Sequence, residues 1–174
     1  MGSRADGRTN DLSDWDLVVV THEFESVASD LHRLVAPLGP LSEQWDPYSS
    51  YACYMLMLPG PTKVDLLFPD EKQEWAPRWS ASLTTLEAID RHFWDWILWL
   101  EQKRRGDQSE LLGKSLGDMY ELMLRPMGVT NPPASVSEAI DAYLKARGDL
   151  EERFGFNVPR DLEHEVRRLL DRAS

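Results

Sequence analysis

Cysteine is almost absent: Cys53 is the only one in 174 residues. A lone thiol excludes an internal disulfide and matches a reducing compartment, so a cytoplasmic protein is expected. The N-terminus lacks the apolar core of a secretory signal. The longest unbroken apolar run falls far short of the ~20 residues that span a bilayer, so a membrane is not an expected partner. Basic residues are also scarce, with 19 Lys and Arg against 30 Asp and Glu and a formal net charge of -11. No Lys/Arg-rich stripe offsets that balance. Such a surface repels nucleic-acid phosphates, which disfavours DNA or RNA as a partner, and attracts a cationic small molecule or a basic protein patch. Internal repeats and low-complexity tracts are missing as well.

What remains is an ordinary folding chain, 42% hydrophobic and 28% charged, with seven tryptophans for burial or for binding flat ligands. Residues 1–13 (MGSRADGRTNDLS) read as a polar loop. Asp14-Trp15-Asp16-Leu17-Val18-Val19-Val20 reads as a buried strand with two carboxylates at its start. Residues 23–36 place Phe24, Val27, Leu31 and Leu34 or Val35 on one helical face, closed by Pro37 and Gly39. Residues 40–50 are expected to be a loop. Tyr51 to Leu58 and Lys63 to Phe68 form a predicted hairpin around Pro59-Gly60-Pro61-Thr62. Beyond Pro69 the pattern turns helical, with starts at Thr84/Glu87 and Ser135/Glu138, both readable as capping boxes. Helices are expected to about Gly106, over 108–124, to about Phe154 and over 159–172. The fold class is therefore α+β: a small mixed-sheet lobe at 1–69, a connection at 70–83 and a helical bundle lobe at 84–174.

The chemistry concentrates in three aspartates. Residues i and i+2 of a strand share a face, so Asp14 and Asp16 stand side by side. Asp65, between Val64 and Leu66, lies on the polar face of its own strand. If the two strands are neighbours the three carboxylates converge, which is unfavourable unless a cation neutralises them or some are protonated. Magnesium suits such an oxygen set, and in two-metal phosphoryl chemistry the ions sit ~3.5–4 Å apart.

The stretch GSRADGRTNDLSDWDLVVV, followed by KVDLLF, resembles the Gly-Ser…Asp-x-Asp and third-carboxylate motifs of the DNA polymerase beta-like nucleotidyltransferase superfamily. The motif region covers residues 2–68. More loosely, the helix carrying HFWDWILWL resembles the helical lobe of aminoglycoside and lincosamide nucleotidyltransferases. The resemblance implies Asp14, Asp16 and Asp65 as magnesium ligands, with Asp65 also the candidate catalytic base. Gly2, Ser3 and Arg4 become the candidate nucleotide-binding residues. The implied activity moves a nucleoside monophosphate, AMP from Mg·ATP, to a hydroxyl of a small, aminoglycoside-like acceptor. Two alternatives stand beside it: an antitoxin-type enzyme that modifies a protein, and a non-catalytic binding or assembly module. In the superfamily a helix and a strand precede Gly-Ser, whereas Met1 directly precedes Gly2 here. A sheet edge is therefore expected to be exposed, and either a homodimer or another segment to cover it.

Other side chains carry less. Trp94, Trp96 and Trp99 cannot all face one way on a helix, so core positions are expected with one or two lining a pocket. Asp90, Asp95 and Glu101 either face an acceptor or lie on an exposed helix surface. Gly113 and Gly117 are expected to allow close helix packing. Lys103-Arg104-Arg105 reads as a cluster complementing a helix C-terminus, with one member free to meet a phosphate. The four histidines have no metal-ligand spacing.

Overall fold

The computed structural model describes residues 13–60, 62–74, 76–106 and 109–171. A four-stranded sheet has the order β1-β4-β3-β2, with β1 Trp15–Val18, β2 Ser42–Trp45, β3 Tyr51–Leu58 and β4 Thr62–Lys72. Helix α1 is Phe24–Val35, and the C-terminal part holds α2 Leu86–Arg105, α3 Ser109–Met119, α4 Val136–Phe154 and α5 Asp161–Asp171. The α+β class is as expected.

The hairpin β3–β4 is antiparallel, and Gly60 adopts φ 87 in its turn, a left-handed value that a side chain disfavours. β4 runs further than the apolar pattern indicated, through Lys72, because ladder pairing to β3 persists after the alternation ends. β2 is a correction: Ser42–Trp45 was expected in a loop but pairs antiparallel with β3. Its sequence, SEQW, has no apolar alternation; the buried neighbour strand, with backbone groups to satisfy, recruits it.

α1 lays Phe24, Val27, Leu31 and Val35 against Tyr54, Leu56, Val64 and Phe68. Of the two residues left open on this face, Val35 is inside at 6% exposure and Leu34 outside at 56%. β1 is a second correction. It was read as a buried strand, yet it is exposed along its whole length. A β-branched run satisfies an edge as readily as a core, and the α1-covered face takes only Val19 from this region.

The helices pack on a second cluster in which Leu86, Ile89, Phe93, Trp94, Ile97 and Leu100 of α2 are fully buried. Met57 of β3 belongs to this cluster and joins it to the sheet. A charged network runs through it: Arg147 of α4 donates to Asp90 of α2 at 2.8 Å and to Glu163 of α5 at 2.6 Å, while the Tyr143 hydroxyl also donates to Asp90. The Ser135 cap holds as expected. The Glu138 amide donates to Ser135 Oγ at 3.2 Å and the Ala134 amide to Glu138 Oε2 at 2.9 Å. The Thr84/Glu87 box does not form: α2 starts one residue later, and the Thr85 hydroxyl donates instead to the Ser80 carbonyl at 2.7 Å. Gly113 and Gly117 are also corrected, since a Cβ at either would meet nothing within 4 Å; both face outward.

Candidate functional site

β1 and β4 are parallel neighbours, and their register sets Asp16 beside Asp65. Asp14 lies two residues before Asp16, on the same face. One carboxylate oxygen from each of Asp14, Asp16 and Asp65 lies within 4.8 Å of the others. The structure thus brings all three sequence-predicted carboxylates together. Gly2, Ser3 and Arg4 lie outside the described residues.

The three acids are not equivalent. Asp16 is exposed, and partial desolvation, with Asp14 beside it, raises its pKa. Asp65 is buried at 9% exposure. Burial is the main cause that pushes its pKa up to about 7, with Asp95 and Asp14 adding to the rise and Lys63 opposing it. Lys63 stands two residues before Asp65 and so shares its face. Its ammonium lies 3.3 Å from Asp65 Oδ2 and 3.0 Å from Asp95 Oδ2 of α2. Burial works against the Lys63 charge, but Asp95 and Asp65 overcome it and hold the pKa well above the usual lysine value. The other oxygen, Asp65 Oδ1, is buried with no hydrogen-bond partner among the described residues. An acceptor oxygen left open in this way, in a set of hard oxygen donors, fits a magnesium ion.

Beside the carboxylates a cavity of about 540 Å³ opens between sheet and helices, lined by Lys63, Asp65, Asp95, Trp96 and Trp99 among others. The far wall comes from Lys114 and Asp118 of α3 and from Glu121 and Leu122, which lie on a wider, π-type turn Tyr120–Leu124 continuing that helix. His92 is buried in the wall. Its Nδ1 accepts from the Gln44 amide at 3.5 Å, and the rings of Tyr48, Trp79 and Trp96 surround it at 5.3–5.7 Å between centroids. Burial lowers its pKa to about 4, so it is neutral at ordinary pH.

The exposed-surface reading of Asp90, Asp95 and Glu101 is corrected, since all three are buried. Asp90 serves the helix network, Glu101 accepts from Arg104 at 2.7 Å and from Arg105 at 2.9 Å, and only Asp95 reaches the cavity. Two members of the basic cluster are thereby spent within α2. Lys103 is left over the Trp99 ring at 5.0 Å, close enough to Asp16 to act on its charge. Trp94 is core, while Trp96 and Trp99 line the cavity.

Sequence reasoning missed Lys63 and His92. The signal for Lys63 was present as the Lys-x-Asp alternation of β4; for His92 only Trp96, one turn along the same helix, was local, and Gln44, Tyr48 and Trp79 come from distant parts of the sequence. No protein-family model matches the chain, and no curated protein matches it significantly.

Proposed function

We propose that the chain is a magnesium-dependent nucleotidyltransferase that moves a nucleoside monophosphate, AMP from Mg·ATP, to a hydroxyl of a small cationic acceptor. The observation that carries this reading is the meeting of Asp14, Asp16 and Asp65, one oxygen of each within 4.8 Å of the others, with Asp65 also in the wall of the cavity. A bound magnesium ion would supply charge neutralisation for these acids and for the triphosphate. Asp14, Asp16 and Asp65 would hold it. Asp65 takes the proton of the attacking hydroxyl: it is buried, and it belongs both to the carboxylate cluster and to the cavity wall. The acceptor oxygen then bonds to the α-phosphorus and pyrophosphate leaves. Gly2, Ser3 and Arg4 are the proposed triphosphate contacts.

The cavity favours a cationic acceptor. Its wall holds Asp46, Asp65, Asp95, Asp118 and Glu121 against Lys63, Arg78 and Lys114, and Arg78 is already tied to Glu121 at 2.8 Å. Trp96 and Trp99 add flat apolar faces, which suit a ring-bearing, aminoglycoside-like molecule. Isothermal titration should find ATP binding that requires magnesium and weakens by roughly tenfold or more in Asp14→Ala or Asp16→Ala, which is about 1.4 kcal/mol or more. Unchanged binding in both variants would overturn the site.

One observation favours the non-catalytic alternative: Lys63 already gives Asp65 a partner inside the chain. That reading gains if no pyrophosphate is released with any hydroxylated cationic acceptor while the protein stays folded.

A further inference from the structure

Val64 is buried in the cluster beneath α1, so strand alternation turns its neighbours Lys63 and Asp65 together to the opposite face of β4. There the Lys63 ammonium meets carboxylates from two elements. It donates to Asp95 Oδ2 of α2 at 3.0 Å and lies 3.3 Å from Asp65 Oδ2. The three side chains are 12–13% exposed, so little water screens their charges. Asp95 stands outside the set of acids whose oxygens converge. Resting on the metal-site reading above, we propose that Asp95 is a positioning residue for that site. It draws the Lys63 charge away from Asp65 and so leaves Asp65 free to hold a divalent cation with Asp14 and Asp16.

A buried ammonium beside a metal ligand competes with the metal for that ligand's charge. If Asp65 were its only counter-ion, Lys63 would form a neutral pair with it, and a cation would find the third carboxylate already compensated. Asp95 changes the count. One positive charge now faces two carboxylates, and one negative charge is left over for the cation. The burial of Asp95 fits this role, because an enclosed carboxylate has to be paired, and Lys63 makes the shorter of its two contacts to it. The effect is one of charge and holds for either oxygen of Asp65. A plain tie between β4 and α2 would use the same contacts, but it would respond differently to the loss of Lys63.

The test is a double-mutant cycle read as Mn²⁺ affinity. The full chain is titrated with Mn²⁺ alone, and the free ion is followed by its electron paramagnetic resonance signal. Asp95→Asn should weaken binding by roughly tenfold or more, the usual effect of one close charge on a carboxylate. Lys63→Met should bind at least as tightly as the wild type, and adding Asp95→Asn to it should cost far less than in the wild type. Unchanged affinity in Asp95→Asn, with folding checked by circular dichroism, would overturn the inference and leave the metal site intact. Weaker binding in Lys63→Met would reduce the contact to a tie between strand and helix. An equal loss from Asp95→Asn in both backgrounds would mean that Asp95 acts without Lys63. Either result overturns the inference, and the Lys63→Met result does so even if Asp95→Asn fails to fold. No Mn²⁺ on the wild type would overturn the metal reading and this inference together.

Discussion

His92 and Asp65 stand in the wall of one cavity, and burial drives them in opposite directions, the imidazole down to about 4 and the carboxyl up to about 7. Each shift favours the neutral group. The unfolded histidine has a pKa of about 6.5, so the His92 contribution to stability is complete above that value and is lost as pH falls towards 4. Asp65 works the other way: its contribution is present below about 4, the unfolded value, and disappears as pH rises through 7. The two overlap, so a single stability curve cannot separate them, but a difference can. In His92→Phe the penalty for charging a buried imidazole is gone. Relative to the wild type, its denaturation midpoint should improve steadily between pH 6.5 and 4, by up to on the order of 3 kcal/mol at the acid end. Urea titrations at matched pH measure this, and a constant gap between the two proteins would refute it.

Single residues also decide how the elements hold together. Arg147 of α4 bonds Asp90 of α2 and Glu163 of α5, so one guanidinium fastens three helices. Glu163 further accepts from Arg167 at 3.3 Å, and Asp90 also accepts from the Tyr143 hydroxyl. Arg147→Met would strand buried carboxylates and should cost about 3–5 kcal/mol in chemical denaturation. Replacing Arg147 and Asp90 together by apolar residues should recover much of that loss. Ser135→Ala removes the α4 cap and should cost about 1 kcal/mol without touching the cavity. Elements with strong local signals were legible in the sequence: the α1 face, the β3–β4 hairpin and the Ser135 cap. β2 was not, because SEQW becomes a strand only through β3. The Thr84 cap misled because the hydroxyls around Ser82 and Thr85 bond one another and their own turn.

At the scale of the whole molecule, the three aspartates were readable because strand alternation and a parallel register are enough to gather them. The cavity was not, because it forms only when α2 docks on the sheet; Lys63 and Asp95 are 32 residues apart in sequence and 3.0 Å apart in space. The place of β1 was illegible for a related reason, as position within a sheet is not a local property. β1 ends the order β1-β4-β3-β2, with Trp15 and Leu17 each 45% exposed, Val18 63% and, just beyond it, Val20 79%. An apolar strand at the end of a sheet, with side chains as exposed as Leu17 and Val18, is a template for pairing with another chain. A second copy is the simplest occupant, and two β1 strands would extend the sheet across a twofold axis. Light scattering should therefore give twice the 20.0 kDa chain mass. Leu17 alternates with Asp16 and so points away from the carboxylates, which makes Leu17→Lys a clean probe. It should shift the protein towards monomer and leave Mn²⁺ binding unchanged. A monomeric wild type would remove the dimer, and a Leu17→Lys protein that stays dimeric would place the contact on another surface.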